Sequence, residues 1–64
     1  MVVKIRVVNK KGDICKEMPL RDAQQEITIG VKNGYIPVYD GKQVKAEEVQ
    51  DGQEVTLFPS VAGG

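Results

Sequence analysis

The chain has 64 residues, 41% of them hydrophobic, and its nine Lys and Arg balance nine Asp and Glu. That length holds one domain, that composition suits a small globular fold, and that balance gives no net field toward nucleic acid or anionic lipid. With no histidine and a single cysteine, Cys15, a disulfide framework, a zinc site and a Cys–His catalytic pair are excluded.

Val2–Val8 is too short, and too interrupted by Lys4 and Arg6, to span a bilayer or to act as a signal peptide. It reads instead as a strand, with Val3, Ile5 and Val7 on the apolar face. Asn9-Lys10-Lys11-Gly12-Asp13 is a turn, with Gly12 free to take positive φ and the two lysines solvated. Ile14–Leu20 is the returning strand. Ile14, Met18 and Leu20 are its inward residues, and Pro19, which cannot donate to a ladder, belongs at an edge or at the exit.

Residues 21–34 carry two local readings. Ala23, Ile27 and Val31 recur at four-residue spacing and Asn33-Gly34 is a fitting helix stop. Against that, Ile27-Thr28-Ile29 is β-branched and Gly30 weakens a helix by about 1 kcal/mol relative to Ala, so a hairpin turning at Asn33-Gly34 is the alternative. The fold-level pattern favours a short helix over 21–32. Ile36–Tyr39 is a strand, and Asp40-Gly41 turns into Lys42–Val44. Lys45–Val49 is a loop or single helical turn with Glu47 and Glu48 wet, and Asp51-Gly52 is the next turn. Residues 53–59 form the last strand, with Val55 and Leu57 inward and Thr56 and Phe58 on the other face. Tyr35 and Tyr39 read as packing residues, and Cys15 as a small strand hydrophobe rather than a reactive thiol.

An initial hairpin, a short helix, a small hairpin and a final strand pack most simply as an α+β fold, a mixed sheet of four to five strands with the helix across one face. The first and last strands are the most hydrophobic and are expected side by side at its centre. That is the ubiquitin-like β-grasp arrangement, dividing the chain into a domain over 1–60 and a flexible tail over 61–64.

No P-loop, Gly-rich nucleotide fingerprint or nucleophile elbow is present, and a core this small leaves little room for an enclosed pocket of ~300 Å³. No catalytic residue, bound cofactor or metal ligand is assigned. The chain reads as a protein acted on rather than acting, monomeric when free and cytoplasmic, with neither nucleic acid nor membrane as partner. Its sequence finishes Val61-Ala62-Gly63-Gly64. Two glycines alone are an ordinary frayed end. Behind a strand, Phe58-Pro59 and a taper of small residues, they read as an arm that enters a narrow channel.

The segment Asp51-Gly52-Gln53-Glu54-Val55-Thr56-Leu57-Phe58-Pro59-Ser60-Val61-Ala62-Gly63-Gly64 resembles the end of the ubiquitin-like sulfur carriers of the ThiS and MoaD type. Phe58-Pro59-Ser60-Val61-Ala62-Gly63-Gly64 is nearest the molybdopterin-synthase small subunit. The length and the Val38-Tyr39-Asp40-Gly41-Lys42-Gln43-Val44 hairpin sit nearer the thiamine-type carriers. The resemblance implies that an adenylyltransferase of the ubiquitin-activating type, using ATP, forms an acyl-adenylate on Gly64. Sulfur from a cysteine desulfurase persulfide then gives a thiocarboxylate, and thiazole synthase or the molybdopterin synthase large subunit receives it. Gly63 and Ala62 would thread the partner's channel, and Phe58, Pro59 and Val61 would dock. Two other classes fit the same residues: a protein modifier joined to lysines through Gly64, and a non-covalent interaction module whose tail is incidental.

Overall fold

The computed structural model describes residues 1–60. Five strands and one helix build it: β1 (Val3–Val7), β2 (Ile14–Met18), α1 (Leu20–Lys32), β3 (Tyr35–Tyr39), β4 (Lys42–Gln43) and β5 (Glu54–Pro59), with a 3₁₀ turn over Ala46–Glu48 before β5. The strands form one mixed sheet in the order β2-β1-β5-β3-β4. β5 runs parallel to β1, with Ile5 opposite Val55 and Val7 opposite Leu57. It runs antiparallel to β3, with Ile36 opposite Phe58 and Pro37 opposite Leu57. The first and last strands therefore lie side by side inside the sheet, as their apolar runs require: a strand flanked on both sides must also bury its side chains on the helix face.

The turns carry the backbone geometry their residues suit. Asp40 and Gly41 take φ of 54° and 77°, the double positive φ of a two-residue hairpin between β3 and β4. In the β1–β2 turn the Gly12 N–H donates to the Asn9 carbonyl at 3.1 Å, and the Lys11 N–H donates to Asn9 Oδ1 at 2.8 Å. Pro19 sits at the exit of β2 and starts the helix, its carbonyl accepting from the Ala23 N–H at 2.9 Å.

The stretch 21–34 is not a hairpin: α1 runs Leu20–Lys32, Asn33 and Gly34 form the turn after it, and the helix packs through Ala23, Ile27 and Gly30. The expected stripe is corrected at its last position: Val31 is half exposed, and Gly30 takes the inward place. Seven residues make about two turns, so Gly30 returns to the azimuth of Ala23 while Val31 rotates past it. A Cβ on Gly30 would lie 3.2 Å from Leu57 Cδ1, so the glycine that argued against a helix is where the helix comes closest to β5. Thr28 is accommodated by donating Oγ1–H to the Gln24 carbonyl at 2.9 Å. Asn33 and Gly34, the latter at φ 92°, close the helix as expected.

The core comprises Val3, Ile5, Ala23, Ile27, Val49, Val55 and Leu57, with Val7, Met18, Leu20, Tyr35, Tyr39, Val44 and Ala46 packed against it. One inward assignment and one strand boundary need correction, Leu20 packing inward as expected but from the helix. Ile14 shares the helix-side face with Val7, its cross-strand partner, yet it is exposed, because β2 is the outer strand and one helix does not cover it. Leu20 belongs to α1 rather than to β2. The same partial cover lets Lys16 Nζ, beyond the core on that face, reach Glu26 Oε2 of α1 at 3.3 Å.

Candidate functional site

β5 alternates faces along its length. Val55 and Leu57 are buried under α1, and Phe58 is exposed on the opposite face, as its parity requires. Ile36 stands directly across from Phe58 on β3 and Val38 across from Thr56, so the β3–β5 half of this outer face is apolar. Sequence alone does not single out Ile36; only the pairing register brings it beside Phe58. The β1–β2 half is charged. Arg6 lies between two carboxylates, its Nη1 3.6 Å from Asp13 Oδ2 and its Nε 3.4 Å from Glu54 Oε2. These atoms are well exposed, and such pairs contribute at most about 1 kcal/mol each.

Of the residues expected to dock, Phe58 and Pro59 point to opposite faces by strand alternation, Pro59 lying across from Tyr35 on the helix side. They share an end of the sheet, not a face. Beyond Pro59 the Ser60 N–H donates to the Gly34 carbonyl at 2.8 Å, which ties the exit of β5 to the start of β3. Val61, Ala62, Gly63 and Gly64 lie outside the described residues.

Cys15 is exposed on β2, opposite Arg6 on the outer face. The expectation of a packed small hydrophobe is overturned, because the face it occupies carries no second layer. It borders an open depression of about 410 Å³ together with Lys4, Arg6, Lys16 and Glu17. Tyr35 and Tyr39 pack against the core as expected. In the 3₁₀ turn Glu48 is not merely wet, since its Oε1 accepts from the Lys45 N–H at 2.8 Å and caps the turn.

On the helix side a groove of about 170 Å³ opens at the exit end, lined by residues including Val7, Ile29, Gly30, Tyr35 and Leu57. Among the described residues no three His, Cys, Asp or Glu side chains gather as a metal site, and no helix is long and apolar enough to cross a membrane. The chain is a small α+β protein, a mixed five-stranded sheet with one helix across one face. No protein-family model, curated protein or solved structure matches it.

Proposed function

We propose that the chain is a ubiquitin-like sulfur carrier with a β-grasp fold, whose reactive atom is the carboxyl carbon of Gly64. The observation that supports this reading is the course of β5. It runs through the interior of the sheet between β1 and β3 and leaves it at Ser60, four residues before Gly64. The last described residue is thus anchored by a strand paired on both sides, and the sequence after it is Val61-Ala62-Gly63-Gly64, with side chains small enough for a terminal carbonyl to be delivered into another enzyme.

A carboxylate is a poor electrophile because its oxygen leaves only as oxide. Attack of the Gly64 carboxylate on the α-phosphorus of ATP in an adenylyltransferase expels pyrophosphate and gives an acyl-adenylate. The terminal sulfur of a cysteine persulfide then attacks the carbonyl carbon and AMP departs with the electron pair. A second thiol cleaves the resulting S–S bond, forming a disulfide and freeing the thiocarboxylate. That sulfur is ionised and nucleophilic, suited to donation into a thiamine thiazole or molybdopterin precursor. The chain supplies no acid or base to these steps; it supplies a Cβ-free arm and a body to grip.

Intact-mass measurement on the protein purified from its own cell tests the reading. A C-terminal gain of about 16 Da, one oxygen replaced by sulfur, is expected in wild type and absent in Gly63→Val, whose branched side chain blocks a channel sized for glycine. An unmodified wild-type Gly64 in cells actively making both cofactors would refute it.

A further inference from the structure

Besides Val31, which borders a separate depression with Pro37 and Val44, four large hydrophobic side chains that remain exposed stand toward one end of the fold. Ile14 opens β2 opposite Val7, Ile29 lies near the end of α1, and Ile36 faces Phe58 between β3 and β5. Their exposures are 50%, 54%, 37% and 44% in that order. Ser60, held to the Gly34 carbonyl, leaves the sheet at the same end. Ile36 and Phe58 flank this exit on the outer face. On the helix side Ile29 lines the groove floored by Leu57 and Gly30, with Glu26 and Asn33 at its rim, and Ile14 stands one strand further out, on β2 beyond Val7. Scattered single apolar residues on a surface need no explanation, but a set grouped around one feature does.

The reach of the chain says what covers them. Gly64 lies four residues beyond Ser60, and so short a segment spans at most about 14 Å when fully extended. An enzyme that takes the Gly64 carboxyl into a water-excluding site must therefore bring its own surface against this end of the fold. We infer that the docking surface for that enzyme is an apolar ring formed by Ile14, Ile29, Ile36 and Phe58, so that its channel mouth grips both faces of the sheet rather than the outer face alone. This rests on the sulfur-carrier reading, and it adds Ile14 and Ile29 as contact residues. The partner is accordingly an adenylating enzyme with an apolar collar around a channel narrow enough to admit glycine and exclude branched side chains.

The test follows the 16 Da gain over time in the source cell, for the wild type and for Ile14→Glu, Ile29→Glu and Val2→Glu. Val2 is 43% exposed but sits at the far end, beside Gly52, and serves as the control. Far-UV circular dichroism checks each fold; Ile14→Thr and Ile29→Ala replace any glutamate variant whose spectrum departs from wild type. Val2→Glu should match wild type, and the Ile14 and Ile29 variants should gain sulfur about tenfold more slowly, the factor one buried aliphatic side chain contributes. If both isoleucine variants keep the wild-type rate while Phe58→Ala slows, the ring is wrong and docking is confined to the outer face, with the sulfur-carrier reading intact. If wild type itself gains nothing, that reading fails and the ring fails with it.

Discussion

Gly30 offers a test of the fold's tightest joint, where two opposing terms of similar size meet. Gly30→Ala removes the cost of glycine within a helix, a gain of about 1 kcal/mol. The new Cβ would sit 3.2 Å from Leu57 Cδ1 and 3.7 Å from both Leu57 Cδ2 and Tyr35 Cβ. Leu57 is 3% exposed and is held between β1 and β3, so its side chain has little room to withdraw. Overpacking of this kind costs about 1–3 kcal/mol, and the balance is a net destabilisation of up to about 2 kcal/mol. Shortening the obstructing side chain reverses the sign: in a Leu57→Val background, Gly30→Ala should be neutral or stabilising by up to about 1 kcal/mol. Urea unfolding followed by far-UV circular dichroism on the four members of the cycle gives the coupling. Thermal melts give a second reading, since 1 kcal/mol moves the midpoint of a chain this size by about 4–8 °C. A Gly30→Ala gain of equal size in both backgrounds would show that α1 does not approach β5 this closely.

Two further outcomes follow from the same packing. Ile27 is fully buried at the centre of the helix face, and Ile27→Ala should cost about 2–5 kcal/mol. The whole stability expected for a chain of this length is about 3–10 kcal/mol, so the variant should show a strongly lowered urea midpoint or no cooperative transition; a midpoint near wild type would contradict the burial. Gly34 adopts φ of 92°, and a Cβ added there would meet nothing within 4 Å, so Gly34→Ala should lose about 1–2 kcal/mol through backbone strain alone. Gly34→Asn, which tolerates that region better, should recover part of the loss in the same denaturation assay.

Much of this fold can be read from residue type. The apolar alternation of Val3, Ile5 and Val7 and of Val55 and Leu57 marks two strands that need cover, and placing them together satisfies both. Asp40-Gly41 announces its turn because few other pairs tolerate two positive φ values, and Asn33-Gly34 because Gly34 takes the positive φ that ends a helix. Residues 21–32 resist local reading because Gly30 is a poor helix former retained for contact with Leu57, a reason visible only once the two elements meet. Ile14 misleads for a related reason: alternation assigns its face correctly, but whether that face is covered depends on how far one helix reaches across the sheet. At the candidate site, parity alone places Phe58 outward. Its partner Ile36, and the gathering of Ile29 and Ile14 around the same end, depend on register and on the direction of α1, which no local pattern encodes.

The interior position of β5 also bears on mechanical load. Traction applied beyond Ser60 runs along the strand axis, and the hydrogen bonds to β1 on one side and β3 on the other lie across that direction. Both rows are loaded in shear and must yield together, whereas an edge strand such as β2 is held by one row only. The fold therefore resists extension along β5 more than it would if that strand lay at an edge of the sheet.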